Sequence, residues 1–75
     1  MQETETKKRF DVNKLLNGWE HHFYFLHPIT QFRRCQYYYR HTDGVLFSTI
    51  GKSWGDCLKK REAWLVRTGR KLQQK

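Results

Sequence analysis

The stretch 33–50, RRCQYYYRHTDGVLFSTI, decides the fold, because it contains two runs of strand-forming residues separated by Asp43-Gly44. An Asp-Gly pair between two such runs is the strongest short-range signal of a β-hairpin. Strands are therefore predicted over 32–41 and 45–50, with the turn of the hairpin at Asp43 and Gly44.

Two registers of this hairpin agree with the sequence. A two-residue type I′ turn would pair His41 with Leu46, whereas a three-residue loop with Gly44 in a G1 bulge would place Tyr37 on the same face as Phe47. Because side chains alternate between the two faces of a strand, either register leaves the same four side chains on the face opposite Tyr37. These four are Arg34, Gln36, Tyr38 and Arg40.

The chain before the hairpin contains a third predicted strand. Residues 19–26, WEHHFYFL, have a strand-like pattern, and Pro28 ends the run because proline cannot donate a hydrogen bond to a neighbouring strand. The segment 10–18 fits either a short helical turn with Asp11 as its N-cap or a strand that ends in a hairpin turn at 17–18. The helical turn is the preferred interpretation.

An amphipathic helix is predicted over 53–68. Ser53 followed by Asp56 resembles a capping box, with Asp in place of the preferred Glu, and Gly69 suits the position that ends a helix. Apolar side chains recur at helical spacing, which predicts a buried stripe that includes both tryptophans of the segment. The stripe consists of Trp54, Cys57, Leu58, Trp64 and Leu65.

The predicted fold class is α+β, with a small three-stranded antiparallel sheet packed on one C-terminal helix. The segment 1–9 is expected to be a disordered arm, 10–69 a single small α+β domain, and 70–75 a frayed basic tail. One helix can cover only one face of the sheet, so the other face is solvated or occupied by a partner. We expect the function of the chain to lie on this uncovered face.

The chain carries a strongly positive charge. Its 15 Lys and Arg residues and 7 Asp and Glu residues give a net charge of +8, and the pI is near 9.9. No acidic residue occurs between Glu20 and Asp43. The electrostatic field of this positive charge attracts nucleic acid or an acidic protein surface.

The composition argues against a membrane protein. Mean hydropathy is -0.95, and no apolar run approaches the roughly 18 residues of a membrane span. The first residues lack the apolar core of a secretion signal, so a cytoplasmic location is expected. In that compartment Cys35 and Cys57 are expected to be reduced and packed in the core.

Sequence motifs of catalysis or metal binding are missing. The two cysteines do not have the spacing of zinc ligands, and the adjacent His21 and His22 of a strand point to opposite faces. The carboxylates are scattered, and there is no glycine-rich phosphate loop. We therefore expect no enzymatic activity, no cofactor, no metal site and no small-molecule substrate.

Two segments carry a resemblance to a known family. Residues 37–48, YYYRHTDGVLFS, and 57–65, CLKKREAWL, resemble a family of very short proteins on bacterial conjugative transposons, a domain of unknown function. That family has a tyrosine-rich strand, an RHTDG turn, an LFS strand and a Cys-x-x-(K/R)-R-x-x-W-L helix, and a weaker match covers 18–25. It has a cysteine after LFS where this chain has Thr49. The resemblance implies a mobile-element setting and an unassigned activity.

A more distant resemblance concerns the order of the elements. Three strands followed by one helix, with an Asp-Gly turn between the last two strands, are similar to the arm-site DNA-binding domains of tyrosine recombinases. Those domains place their sheet in the major groove of DNA. The resemblance is one of architecture, and a shared fold does not by itself imply a shared function.

These observations predict a binding module that contacts duplex DNA through its uncovered face. Arginine can contact phosphates or guanine, glutamine can read adenine, and tyrosine can stack or donate its hydroxyl. The alternative is a protein-interaction adaptor or inhibitor that docks an acidic protein or a second copy of the chain, through the same face or an edge strand. The predicted DNA-binding residues are Arg34, Gln36, Tyr38 and Arg40 on the sheet, and Lys7, Lys8, Arg9, Arg70 and Lys71 in the two basic ends.

Overall fold

A computed structural model describes residues 10–71, and its architecture confirms the predicted α+β class. The sheet is antiparallel, with the strands in the order β1-β2-β3, and the helix packs on β2 and β3. Lys7, Lys8 and Arg9 lie outside the described residues. The elements are a 3₁₀ turn (Val12–Lys14), β1 (Glu20–Leu26), β2 (Arg33–Arg40), β3 (Leu46–Gly51) and the helix α1 (Trp54–Thr68).

The turn between β2 and β3 selects the second of the two predicted registers. The amide of Gly44 donates to the carbonyl of His41 (2.8 Å), and the amide of His41 donates to the carbonyl of Val45 (2.9 Å). Gly44 has a φ of +92°, the left-handed conformation that a G1 bulge requires of its glycine. Tyr39 therefore pairs with Phe47, on the face that the helix covers.

The core lies between the sheet and α1. Every second residue of β2 points toward α1. These residues pack against side chains of α1 that lie one or two helical turns from each other. Phe47, Leu58 and Trp64 pack around this core with part of their surface exposed. The fully or almost fully buried members are Cys35, Tyr37, Tyr39, Cys57 and Leu65.

Both ends of α1 are capped as predicted. The hydroxyl of Ser53 accepts from the amide of Asp56 (3.2 Å), but the Asp56 carboxylate accepts from the amide of Lys52 (3.1 Å), one residue before the position that a capping box uses. At the other end Gly69 has a φ of +75° and donates its amide to carbonyls in the last turn of the helix.

The end of β3 lies very close to the start of α1. A Cβ atom added at Gly51 would come within 2.6 Å of the Asp56 carboxylate and 3.1 Å of the Cys57 sulfur. A side chain at this point would displace the Asp56 carboxylate and crowd the Cys57 sulfur, so glycine allows the two-residue connection to place the helix directly against the sheet.

One prediction about a side chain was wrong. Trp54 is 37% exposed instead of buried, because α1 lies over β2 and β3 and its first residue extends beyond the core to stack on His22 of β1 (4.6 Å between centroids). Of the predicted basic tail, 72–75 lie outside the described residues; the Nε of Arg70 donates to the Asp43 carboxylate (2.9 Å), and its guanidinium lies over the ring of Trp64.

The segment before β1 forms the predicted helical turn. The carboxylate of Asp11 accepts from the amide of Asn13 (3.0 Å), as an N-cap does, and Leu15 is buried. Within residues 10–71 no helix has the length and apolar character needed to cross a bilayer.

Candidate functional site

The face of the sheet opposite α1 is the candidate functional site, and we call it the open face. The strand register determines its members, because each strand contributes every second residue to it. The four predicted residues of β2 lie on it together, as the sequence predicted. Its members are His21, Phe23 and Phe25 of β1, Arg34, Gln36, Tyr38 and Arg40 of β2, and Leu46, Ser48 and Ile50 of β3.

Aromatic rings form a continuous layer along the β1 side of the open face. The rings of Phe10 and His21 stack 4.0 Å apart and almost parallel, and Phe10 also lies 4.9 Å from Tyr38. Phe23 lies 6.5 Å from Tyr38 and 6.3 Å from Phe25, and 40% of its surface is exposed. This layer offers flat apolar surfaces that a planar ligand can stack on.

The histidine in this layer behaves as a neutral ring. Burial, together with the neighbouring His22, lowers the pKa of His21 from its usual 6.5. It is therefore uncharged at neutral pH, which suits its parallel stacking against Phe10.

The open face contains no acidic side chain among the residues that the structure describes. Four of the acidic residues in this part of the chain form ion pairs with side chains of α1 or with Arg70, on the turn or the covered side. Arg34 and Arg40 therefore give the open face a positive charge that no carboxylate on this face neutralises. The ion pairs are Glu20–Arg61, Glu62–Arg61, Asp56–Lys60 and Asp43–Arg70.

The predicted site residue Arg40 has a structural role. Its guanidinium donates to the carbonyls of Leu15 (2.7 Å), Gly44 (2.9 Å) and Val12 (3.0 Å). It thereby fastens the segment before β1, and the hairpin turn, to the sheet. Three of its donors are occupied, so few remain for an external phosphate or base.

Arg34 and Gln36, two other predicted site residues of β2, differ in which hydrogen-bonding groups remain free for a ligand. Arg34 donates to the carbonyl of Arg33 (3.0 Å) and lies 5.5 Å from the ring of Phe32, so most of its guanidinium donors are free to meet an anion. The amide nitrogen of Gln36 donates to the carbonyl of Thr49 (3.1 Å), which leaves its oxygen as an acceptor. Of the two C-terminal residues, Arg70 is engaged with Asp43 and Lys71 is exposed.

The covered face contains a polar cluster that the sequence did not reveal. The hydroxyl of Tyr37 donates to Glu20 (2.5 Å) and accepts from Arg61 (2.9 Å), and Arg61 also lies over the ring of Tyr39. Burial and the hydrogen bond to Glu20 raise the pKa of Tyr37. These contacts tie β1, β2 and α1 together, which is a structural task.

The two cysteines are buried beside each other under the helix. The Cys57 thiol donates to the carbonyl of Cys35 (3.5 Å), and both residues are fully buried and free. Burial and the adjacent Cys35 raise the pKa of Cys57 to about 11, so it is a poor nucleophile near neutral pH.

The rings of β1 are the members of the site that sequence reasoning missed. Their strand-like pattern was visible, but the face each occupies depends on how β1 pairs with β2 across the loop 27–32. The structure pairs Phe23 with Gln36 and Phe25 with Arg34. A shift of one residue would have turned these rings toward the helix.

Comparisons of the chain with protein-family models, with curated proteins and with solved structures find no match.

Proposed function

We propose that this chain is a module that binds nucleic acid through the open face of its sheet. The observation that carries the proposal is the combination on one surface of partly exposed aromatic rings and arginine, with no carboxylate there among the described residues. Bases stack on such rings, and arginine contacts phosphates or base edges.

The distribution of charge supports the same interpretation. Four of the acidic residues of the described chain pair with basic side chains at the turn and on the helix side, whereas Arg34 stands among apolar and neutral neighbours. A polyanion can therefore reach Arg34 on the open face without meeting a carboxylate there.

A second candidate function is protein binding, which the apolar side of the open face favours. Leu46 and Ile50 are 37% and 48% exposed and lie on either side of Ser48 on the open face of β3, an edge strand of the sheet. A second copy of the chain or an acidic protein could cover them.

The test is a titration of the ¹⁵N-labelled protein with short duplex and single-stranded DNA, followed by the amide resonances at moderate salt. We expect shifts in β1 and β2 at open-face positions. Two variants then show whether binding depends on the open face or only on the total positive charge. Arg34→Ala removes a partly exposed arginine from the sheet, and Arg67→Ala removes an exposed arginine from the helix. Loss of affinity in Arg34→Ala should be about 5- to 20-fold larger than in Arg67→Ala.

Equal losses of affinity in the two variants would mean that overall charge alone attracts the nucleic acid. This result would contradict the open face as the binding site. No binding to either nucleic acid, together with a dimer in sedimentation measurements, would support the protein-binding alternative. Arg34→Ala should itself leave stability within about 0.5 kcal/mol of the parent, because this side chain makes few internal contacts.

A further inference from the structure

The two phenylalanines of β1 are arranged like successive stacking positions. Phe23 and Phe25 lie on the same face of one strand with ring centroids 6.3 Å apart. β1 is an edge strand, so nothing in the described chain continues the sheet beyond these rings. A linear ligand could therefore lie along β1 and place one planar group on each ring.

The neighbouring strand provides polar groups beside both rings. Arg34 is the cross-strand partner of Phe25, and Gln36 is the partner of Phe23. The guanidinium can bind a phosphate next to the first ring, and the free oxygen of the Gln36 amide can accept from an exocyclic amino group next to the second. Each ring thus has one hydrogen-bonding neighbour at the distance of a paired strand.

We propose that the open face binds single-stranded nucleic acid, with bases stacked on Phe23 and Phe25; this inference rests on the function proposed above. In a duplex the faces of the bases are hidden by stacking, and only their edges and the phosphates are accessible. Aromatic side chains cannot stack on these edges, which are recognised by hydrogen-bonding groups instead. Arg40 and Gln36, which the sequence assigned to reading a duplex, use donors internally.

The two ends of the aromatic layer differ in charge. Beyond His21 a groove of about 390 Å³ runs past the exposed ring of Trp19, and its lining includes an acidic and a basic residue, Asp11 and Lys14. At the other end Arg34 has no acidic neighbour among the described residues of the open face. The bound nucleic acid is therefore expected to extend from the rings toward Arg34.

The experiment measures fluorescence anisotropy with three labelled probes: a single strand of about 12 nucleotides, the matched duplex, and an abasic strand with the same number of phosphates. The abasic strand keeps the charge and lacks the bases. We expect the single strand to bind roughly 10- to 100-fold more tightly than the abasic strand and more tightly than the duplex, because two stacked bases are lost.

Two variants of β1 separate stacking from a general effect on the strand. Phe23→Leu combined with Phe25→Leu keeps the open face apolar but removes both rings. Tyr24→Leu is the control, because Tyr24 has the same 40% exposure as Phe23 and lies on the opposite face. The double variant should lose about 10-fold or more in affinity for the single strand, and Tyr24→Leu less than about 2-fold, with circular dichroism showing that both fold.

Equal affinity for the single strand and the abasic strand would overturn the stacking proposal, as would unchanged binding by the double phenylalanine variant. Tighter binding to the duplex, with Arg34→Ala still weakening it, would overturn the single-strand inference and leave the proposed function intact. If none of the three probes binds, both the single-strand inference and the proposed function are wrong.

Discussion

The two faces of β2 differ in almost every physical property, although they are built from alternate residues of one strand. Cys35, Tyr37 and Tyr39 are buried under the helix, and the hydroxyl of Tyr37 is bonded to Glu20 and Arg61. On the open face, Arg34 and Tyr38 keep part of their surface exposed. The pleat of the strand separates the residues that stabilise the fold from those available to a partner. Mutations on the two faces should therefore produce separable effects.

The largest expected effect is on the covered face. Leu65→Ala should lower the free energy of unfolding by about 2–5 kcal/mol, because it removes a buried side chain from a core of few members and leaves a cavity. Val66→Ala is the matched control one residue away, where the side chain is 81% exposed, and it should change stability by no more than about 0.5 kcal/mol. Urea denaturation measures both. Similar losses in the two variants would contradict the position of the core.

Alkaline pH should lower the stability of the protein through groups on the covered face. The pKa of Cys57 is raised from 9.0 to about 11 by burial and by Cys35, and burial raises that of Tyr37 as well. The unfolded chain releases the Cys57 proton first, so the stabilisation from this thiol is complete below about pH 9 and is lost as the pH rises through 11, whereas that from Tyr37 is lost at higher pH. For Cys57 the loss is on the order of 2 kcal/mol.

Urea denaturation at several pH values between about 7 and 11 measures this loss. Cys57→Ala is the control: it is less stable than the parent at neutral pH, but its stability should fall less steeply above pH 9. A parent protein whose stability stays flat to about pH 11 would show that the thiol is not protected from solvent.

A smaller effect compares two adjacent tyrosines. Tyr37→Phe removes a buried hydroxyl that joins Glu20 to Arg61, and should cost about 1–2 kcal/mol because the two charged groups still pair with each other at 3.3 Å. Tyr38→Phe should cost less than about 0.5 kcal/mol, because its hydroxyl has no hydrogen-bond partner within residues 10–71. Thermal unfolding of both variants makes the comparison. An equal cost would mean that the hydroxyl network does not stabilise the covered face.

Local signals in the sequence were sufficient for most of the fold. The Asp-Gly turn located the hairpin, Ser53 and Gly69 located the two ends of the helix, and strand alternation placed Arg34 and Tyr38 on the open face. Each of these features depends on residues close together in the chain. Local chemistry therefore predicts them without knowledge of the packing.

Features that depend on distant contacts were not predictable in the same way. The sequence predicts Arg40 to be a free surface arginine, but its guanidinium donates to the carbonyls of Val12 and Leu15, which lie far from it in the chain. The exposure of Trp54 follows from where the helix lies across the sheet, and the face taken by Phe23 follows from the pairing of β1. Tertiary geometry, not residue type, decides these positions.

The order of the strands has a consequence for how quickly the chain finds its structure. In the sheet every strand pairs with the one next to it in sequence, and α1 follows β3 after two residues. Folding therefore requires the closure of only short loops, which gives the protein a low contact order for its class. We expect it to fold on the order of milliseconds, with the tight β2–β3 hairpin as the natural nucleus.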